Sequence, residues 1–168
     1  TKFSFQSFFH KDISPKEKFK ILFKNFTKRS ITKYATHYFA CGVEAGEWLF
    51  GNENSKKVSI INNAIDVKKF RYNNEVSKKN KSALKIEDSF VIGHIGRFNS
   101  QKNHSFLIDI FREIQMVHPN SLLLLIGEGD LMQEVNEKVI SYNLQDYVRF
   151  LGVQSDVSYY LQAMDVFL

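Results

Sequence analysis

Residues 90–111 read FVIGHIGRFNSQKNHSFLIDIF, an apolar run followed by a polar loop and then an amphipathic run. The first run predicts a buried strand over Phe90–Ile95, and apolar residues at helical spacing predict a helix over about 104–118. The loop between them carries a guanidinium and an ammonium, those of Arg97 and Lys102. Open α/β sheets bind ligands beyond the carboxyl ends of their strands, so this loop is a candidate site.

The residues after this helix continue the alternation of strands and helices. Ser121–Ile126 is an uninterrupted apolar run, which is typical of a central parallel strand. We expect a helix to about Tyr142, a strand at Val148–Leu151, a short helix over 157–162 and a further strand at 163–168. Repeated β-α-β units with short loops predict an α/β fold with a doubly wound, Rossmann-like parallel sheet, here incomplete.

The first half predicts the end of a second α/β domain. Its strand at 36–41, helix at 43–50 and strand at 57–61 follow the same alternation. The stretch after them is polar and lysine-rich, with the composition of a linker. The expected organisation is a first domain over 1–66, a linker over 67–88 and a second domain over 89–168.

Composition and charge limit the classes of protein that fit. A chain of 168 residues with 43% hydrophobic and 24% charged residues is globular, which excludes disordered and fibrous proteins. Its one cysteine, Cys41, cannot form an internal disulfide, which favours a reducing compartment. Residues 1–88 carry 18 basic against 9 acidic residues, whereas residues 89–168 carry 5 against 9. We therefore expect the two halves to meet different partners.

The basic amino-terminal segment predicts an amphipathic helix. Ser14-Pro15-Lys16-Glu17 resembles a capping box with proline at the first helical position. One stripe of the helix holds large apolar residues and another holds lysines: Phe19, Leu22, Phe23 and Phe26; Lys16, Lys20, Lys24 and Lys28. We favour a surface helix whose phenylalanines pack on their own domain, with peripheral membrane contact through residues 14–33 as the alternative.

Several chemistries lack their sequence signatures. No G-x-G-x-x-G follows the first predicted strand of the second domain and no P-loop motif occurs, which disfavours a dinucleotide-dependent oxidoreductase. The five histidines lack the paired spacing of zinc ligands, and no Asp-x-Asp motif is available to bridge a metal to a diphosphate. We therefore expect no metal site, and the absence of an aromatic RNA-binding signature predicts no nucleic-acid partner.

Three predicted loops carry the candidate site residues. Arg97 offers a planar fork of donors and Lys102 a mobile point charge, a pair suited to a diphosphate beside Gly96. The turn Gly127-Glu128-Gly129 lets a ligand approach the backbone closely, although a tight turn before a helix explains it equally well. For the segment Arg149-Phe150-Leu151-Gly152, a base-binding role and a plain strand end remain equal alternatives.

These residues carry a resemblance. The strings VIGHIGRFNSQKNHSFLIDIF, LLLLIGEGD, VRFLG and AMDVFL resemble the donor domain of retaining bacterial glycosyltransferases with the two-domain B-type fold, of the capsular and exopolysaccharide group. Upstream, ATHYFACGVEAGEWLFG and SIINNAIDVKKF resemble the end of the acceptor domain in those enzymes. The motifs occur in order over residues 34–168. The resemblance therefore implies that 1–66 belongs to an acceptor domain and 89–168 to a nucleotide-sugar donor domain.

The resemblance also implies a role for each loop. Gly96, Arg97 and Lys102 would hold the donor diphosphate, and Gly127, Glu128 and Gly129 would lie beside the donor cleft. Arg149, Phe150, Leu151 and Gly152 would receive the nucleobase. The E-x7-E segment of the family does not occur in these residues. We therefore expect the catalytic residues to lie outside this chain, which would then be an inactive, self-associating fragment.

The implied activity is transfer of a sugar from a nucleoside-diphosphate donor, uridine-linked, to a glycan or lipid-linked acceptor in surface polysaccharide synthesis. The nucleotide sugar is a substrate, and no cofactor is expected. The expected location is the cytoplasm, with the inner face of the membrane as an alternative. Two other functions stay open: a sugar-nucleotide epimerase of the same fold, and a nucleotide-binding or membrane-associated module without turnover.

Overall fold

The computed structural model describes residues 15–168, which form two compact units. The first unit ends at Ala64 and the second comprises Ile65–Leu168. The boundary lies where the sequence has few large apolar residues. The predicted capping residue Ser14 lies outside the described residues.

The first unit is a small α/β arrangement. Helix α1 (Pro15–Tyr34) precedes strand β1 (Tyr38–Ala40), helix α2 (Val43–Phe50), a 3-10 helix (Asn52–Lys57) and strand β2 (Val58–Ile60). The two strands pair in parallel. Parallel strands need a crossover connection, and α2 provides it. This arrangement confirms the predicted α/β character of the first half.

The apolar stripe of α1 faces solvent. Phe19, Leu22, Phe23 and Phe26 are between 59% and 71% exposed, so the expected packing of this stripe is not found among residues 15–168. Lys24 and Lys28 instead place their ammonium groups 4.6 and 4.9 Å from the ring centroid of Trp48. Within the described residues no helix combines the length and hydropathy that a bilayer crossing needs. Membrane contact through residues 14–33 stays a prediction.

The second unit is built on a four-stranded parallel sheet. Its strands are β3 (Phe90–Ile95), β4 (Ser121–Ile126), β5 (Val148–Phe150) and β6 (Val166–Phe167), in the spatial order β5-β4-β3-β6. β3 and β4 pair along their whole length, and both consist mainly of apolar residues, as central parallel strands do. The predicted strand positions at the centre of the sheet are confirmed.

Helices cover both faces of this sheet. On one face, α5 (His104–Val117) and α6 (Met132–Ser141) enclose a core that includes Phe111 and Val139. On the other face, Ile86 and Met164 join a second core with α7 (Val157–Ala163). The sheet is therefore doubly wound and Rossmann-like, as predicted.

The segment interpreted as a linker is helical. It forms α3 (Val67–Phe70) and α4 (Asn74–Leu84), whose amino ends are capped by the side chains of Asp66 and Asn73. The composition of 67–88 had indicated a linker, whereas the structure has two capped helices there, and the polar contacts that help to hold them leave no apolar pattern in the sequence.

Two of those polar contacts anchor α4, one to helix α7 and one to the sheet. The Asn80 amide donates to the carbonyl of Tyr159 at 2.8 Å. The Lys81 ammonium lies 2.7 Å from the carboxylate of Asp165, which also accepts from the backbone N–H of Val91 at 2.7 Å. The segment therefore belongs to the second unit.

Candidate functional site

The loops that follow β3, β4 and β5 meet at one edge of the sheet. The backbone N–H of Gly96 donates to the carbonyl of Ile126 at 2.9 Å, and that of Gly127 donates to the carbonyl of Gly152 at 2.8 Å. The N–H of Phe98 donates to the carbonyl of Glu128 at 3.0 Å. The structure thus brings together all three loops that the sequence singled out.

The glycines of the second loop are required by contacts between backbones. Gly127 has a φ of +135°, and a Cβ there would lie 2.1 Å from the carbonyl oxygen of Gly96. Gly129 has a φ of +159°, and its Cβ would lie 2.4 Å from the carbonyl oxygen of Phe98. These glycines let two loops pack directly on each other. This requirement accounts for them without a ligand that approaches the backbone.

The loop after β3 is rigid because its centre is part of the core. Phe98 is fully buried, and its ring stacks on His104 with centroids 4.0 Å apart. The backbone N–H of Leu131 donates to the carbonyl of Phe98 at 3.1 Å. Asn99 turns the chain, with its side-chain and backbone oxygens both 3.2 Å from the N–H of Lys102. A fixed backbone therefore carries the two cationic residues.

Arg97 and Lys102 are exposed at this edge. Neither side chain forms an ion pair with any of residues 15–168. A Cβ on Gly96 would lie 3.2 Å from Cδ and Cε of Lys102, so the lysine chain passes over Gly96. Two cations without an ion-pair partner among the described residues, on a rigid loop at the carboxyl edge of a parallel sheet, form an arrangement that can bind a polyanion.

The residues of the predicted nucleobase segment, 149–152, have two kinds of surroundings. Arg149 donates from Nη1 to the carbonyl of Leu84 at 2.7 Å, so its guanidinium is held by the residue that ends α4. Phe150 packs against the core, and its ring centroid lies 6.0 Å from that of Phe98. Gly152 has a φ of +62° and borders the second loop. Leu151 and Gly152 lie where the loops meet, and a base-binding role for the segment stays a prediction.

Glu128 is an acidic residue of the loop after β4. Its side chain is exposed, and Oε1 would lie 3.7 Å from a Cβ on Gly152. The carboxylate therefore borders the β5 loop. No group of three or more potential metal ligands occurs among residues 15–168.

Two buried histidines lie beneath the loop, and from the sequence they were considered only as zinc ligands. His94 is 9% exposed and His104 is 2% exposed, and their rings meet edge to face with centroids 4.8 Å apart. Nε2 of His94 and both ring nitrogens of His104 have no hydrogen-bond partner in the part of the chain that the structure describes. Their positions in the sequence were the available signal that they lie near the loop. His94 is two residues before Gly96, near the end of β3, and His104 is the first residue of α5.

His104 stays neutral in the folded protein at neutral pH. Burial lowers the pKa of His104 to about 4, and the nearby His94 and Lys102 act in the same direction. A positive charge in this position would lack both water and a partner. The ring therefore serves as an apolar surface for Phe98.

We expect this histidine to make stability depend on pH. An unfolded chain binds a proton at His104 below the ordinary pKa of 6.5, whereas the folded chain does so only near 4. The stabilisation from the neutral, buried ring is therefore fully present above pH 6.5. As the pH falls towards 4, the free energy of unfolding decreases by at most about 3 kcal/mol. Urea unfolding of the wild type and of His104→Phe measures this loss of stability. The two pH values are about 4.5, inside the range in which stability falls, and about 7.5, above it.

The variant should lose less stability than the wild type on acidification. Comparison of the two proteins removes the contribution of carboxylates such as Asp109, whose pKa is lowered chiefly by its hydrogen bond from Lys138. Equal losses in both proteins would show that His104 is protonated in the folded state.

The family of the chain follows from comparison with known proteins. Residues 75–168, more than half of the chain, match the family described as Glycosyl transferases group 1, and the chain belongs to that family. EpsF of Bacillus subtilis, whose name assigns it to the glycosyltransferases, is 34% identical over 144 residues, which are 84% of this chain and 38% of EpsF. An uncharacterized glycosyltransferase of Methanocaldococcus jannaschii is 32% identical over 114 residues, or 67% of this chain and 28% of that protein.

Solved structures share the fold. HepE of Anabaena, crystallised with UDP-glucose, superposes with a TM-score of 0.76 at 22% identity, over 94% of this chain and 44% of HepE. The glycosyltransferase WaaG, involved in lipopolysaccharide biosynthesis, superposes with a TM-score of 0.59 at 16% identity, over 67% of this chain and 31% of WaaG. The chain spans less than half the length of each of these four proteins.

Proposed function

We propose that this chain supplies the donor-binding half of a glycosyltransferase that transfers a sugar from a uridine-diphosphate donor to a glycan or lipid-linked acceptor in surface polysaccharide synthesis. The observation that carries the proposal is the pair Arg97 and Lys102, exposed without ion-pair partners among residues 15–168 on a rigid loop at the carboxyl edge of the sheet. The donor is a substrate, no separate cofactor is proposed, and the reaction is placed in the cytoplasm.

The two cations fit the charge that develops in such a reaction. When the bond between the sugar and the diphosphate breaks, negative charge grows on the leaving phosphate oxygens. Arg97 can donate two parallel hydrogen bonds to those oxygens, and Lys102 adds a mobile positive charge. Because the loop is fixed by Phe98 and Gly127, these groups need little rearrangement as the charge appears.

The relatives support the class of donor and acceptor. HepE was crystallised with UDP and glucose as well as with UDP-glucose. A Campylobacter jejuni protein, 27% identical over 67% of this chain, is named as a transferase of N-acetylgalactosamine to a sugar-diphospho-undecaprenol, which is a lipid-linked acceptor. These properties belong to those proteins, and we extend their chemical class to this one.

A turnover assay tests the proposal on the longest natural chain that contains these residues. Uridine-, guanosine- and adenosine-linked sugars are each incubated with and without a membrane lipid extract. We expect release of UDP from a uridine-linked sugar that depends on the extract. Interconversion of nucleotide sugars without any acceptor would identify the epimerase, and binding of UDP without turnover of any donor would identify a non-catalytic module.

A further inference from the structure

His94 lies beneath the proposed diphosphate site. Nε2 of His94 would be 3.0 Å from a Cβ on Gly96, and the end of the Lys102 chain would be 3.2 Å from the same point. The imidazole and the lysine chain therefore lie on the same side of Gly96, where its side chain would begin. The absence of a side chain on Gly96 leaves the nitrogen facing the loop that carries the two cations.

The hydrogen bond of the other ring nitrogen fixes where a proton can be added. Nδ1 of His94 contacts the backbone oxygen of Leu168. A backbone oxygen only accepts, so Nδ1 carries the hydrogen, and in the neutral ring Nε2 has a free lone pair. Nε2 is buried and has no hydrogen-bond partner among residues 15–168, which is costly for a polar atom in a folded protein. A ligand bound above Gly96 would give it one.

We propose that His94 belongs to the diphosphate site and takes up a proton at Nε2 when a nucleoside diphosphate binds, so that it donates a hydrogen bond to a phosphate oxygen. This inference rests on the proposed function. The proton comes from solvent, and no bond of the nucleotide breaks in this step. Lys102 moves towards the phosphate as the ligand binds, which uncovers Nε2.

The surroundings of His94 explain why the ligand controls the proton. α5 contributes His104, the loop contributes Lys102, the opposite residue on β4 is Leu125, β6 contributes the ring of Phe167, and the backbone oxygen of Leu168 follows β6. No side chain among these residues is an anion that favours a charged imidazole. A bound diphosphate supplies that negative charge. His104, with a pKa near 4, stays neutral and contributes no proton.

Isothermal titration calorimetry of UDP binding measures the proton directly. Titrations at about pH 8, where an imidazole in water is neutral, are run in two buffers with different enthalpies of ionisation. The difference in binding heat gives the number of protons taken up. We expect net uptake approaching one proton per UDP and none with uridine, which lacks the diphosphate. Affinity for UDP should weaken between about pH 7 and 9, by up to roughly tenfold per pH unit.

Substitutions assign the proton to a residue. His94→Gln keeps a polar group near Nε2 but cannot be protonated, so uptake should disappear and UDP affinity should fall roughly tenfold or more at neutral pH. His118→Gln, at the exposed carboxyl end of α5, is the matched control and should keep both uptake and pH dependence. Nitrogen-15 spectra of the wild-type imidazoles give the same assignment without a variant, because His94 should change from neutral to protonated on addition of UDP.

The outcomes separate this inference from the proposed function. UDP binding without proton uptake, or uptake that persists in a folded His94→Gln protein, overturns the role of His94 and leaves the donor class intact. An imidazole of His94 whose nitrogen signals do not respond to UDP has the same consequence. If UDP does not bind at all, the proposed donor class itself is wrong.

Discussion

Replacement of both Arg97 and Lys102 by alanine is expected to weaken UDP binding by about 3 kcal/mol or more, which is roughly a 100-fold loss of affinity or greater. A hydrogen bond to a charged group contributes about 1.5–3 kcal/mol, and two neighbouring groups that bind the same ligand need not add exactly. Each single variant should show a part of this loss. Isothermal titration calorimetry on the longest natural chain that contains these residues measures the UDP affinity of the two single variants and the double variant.

The fold should survive these substitutions. Both side chains are exposed and form no ion pair with residues 15–168, so their loss leaves no buried charge. Lys79→Ala removes an exposed lysine from α4 and is the matched control for a general loss of positive charge. Binding that is unchanged in the double variant, or reduced equally by Lys79→Ala, would show that the diphosphate does not bind at this loop.

The centre of the second unit was predictable because two physical signals agree there. β3 and β4 consist mainly of apolar residues, which is typical of strands covered on both faces. Loops with glycine and polar residues follow each strand and precede an amphipathic helix. Since parallel strands place their carboxyl ends at one edge, the meeting of the three loops followed from the order of elements.

The segment 67–88 shows where sequence patterns fail. Its helices are held by side-chain hydrogen bonds such as that of Asn80 and by the ion pair of Lys81. Such contacts join residues far apart in sequence and produce no hydrophobic period. Composition therefore indicated a linker where the structure has two helices.

The site residues show the same difference between features that the sequence predicts and contacts that it does not. Placement in a loop predicted the exposure of Arg97 and Lys102, because position relative to a strand end is visible in the sequence. The partner of Arg149 was not visible, since it depends on α4, which the sequence interpretation had missed. The position of His94 beneath the loop was not predictable for a related reason. A histidine within a mainly apolar strand gives no signal in the sequence that one ring nitrogen lacks a hydrogen-bond partner among the described residues.

Gly127→Ala is expected to lower the stability of the second unit by about 2–5 kcal/mol and to abolish measurable UDP binding. A φ of +135° is strained for alanine, which costs about 1–3 kcal/mol. The added Cβ would also overlap the carbonyl oxygen of Gly96 at 2.1 Å, and overpacking of this kind costs about 1–3 kcal/mol. Relief requires the two loops to separate, which displaces Arg97.

The two loops cannot move apart at this point without breaking hydrogen bonds. Gly127 donates to the carbonyl of Gly152, and Gly96 donates to that of Ile126, so a shift of either loop breaks a hydrogen bond between neighbouring strand ends. Gly42→Ala is the control, because Gly42 has extended backbone and the nearest contact of a Cβ there among residues 15–168 would be Oε2 of Glu44, at 3.8 Å. Thermal unfolding and UDP titration of both variants provide the measurement. A Gly127→Ala protein that unfolds at the wild-type temperature and binds UDP normally would mean that the loops do not pack backbone to backbone as described.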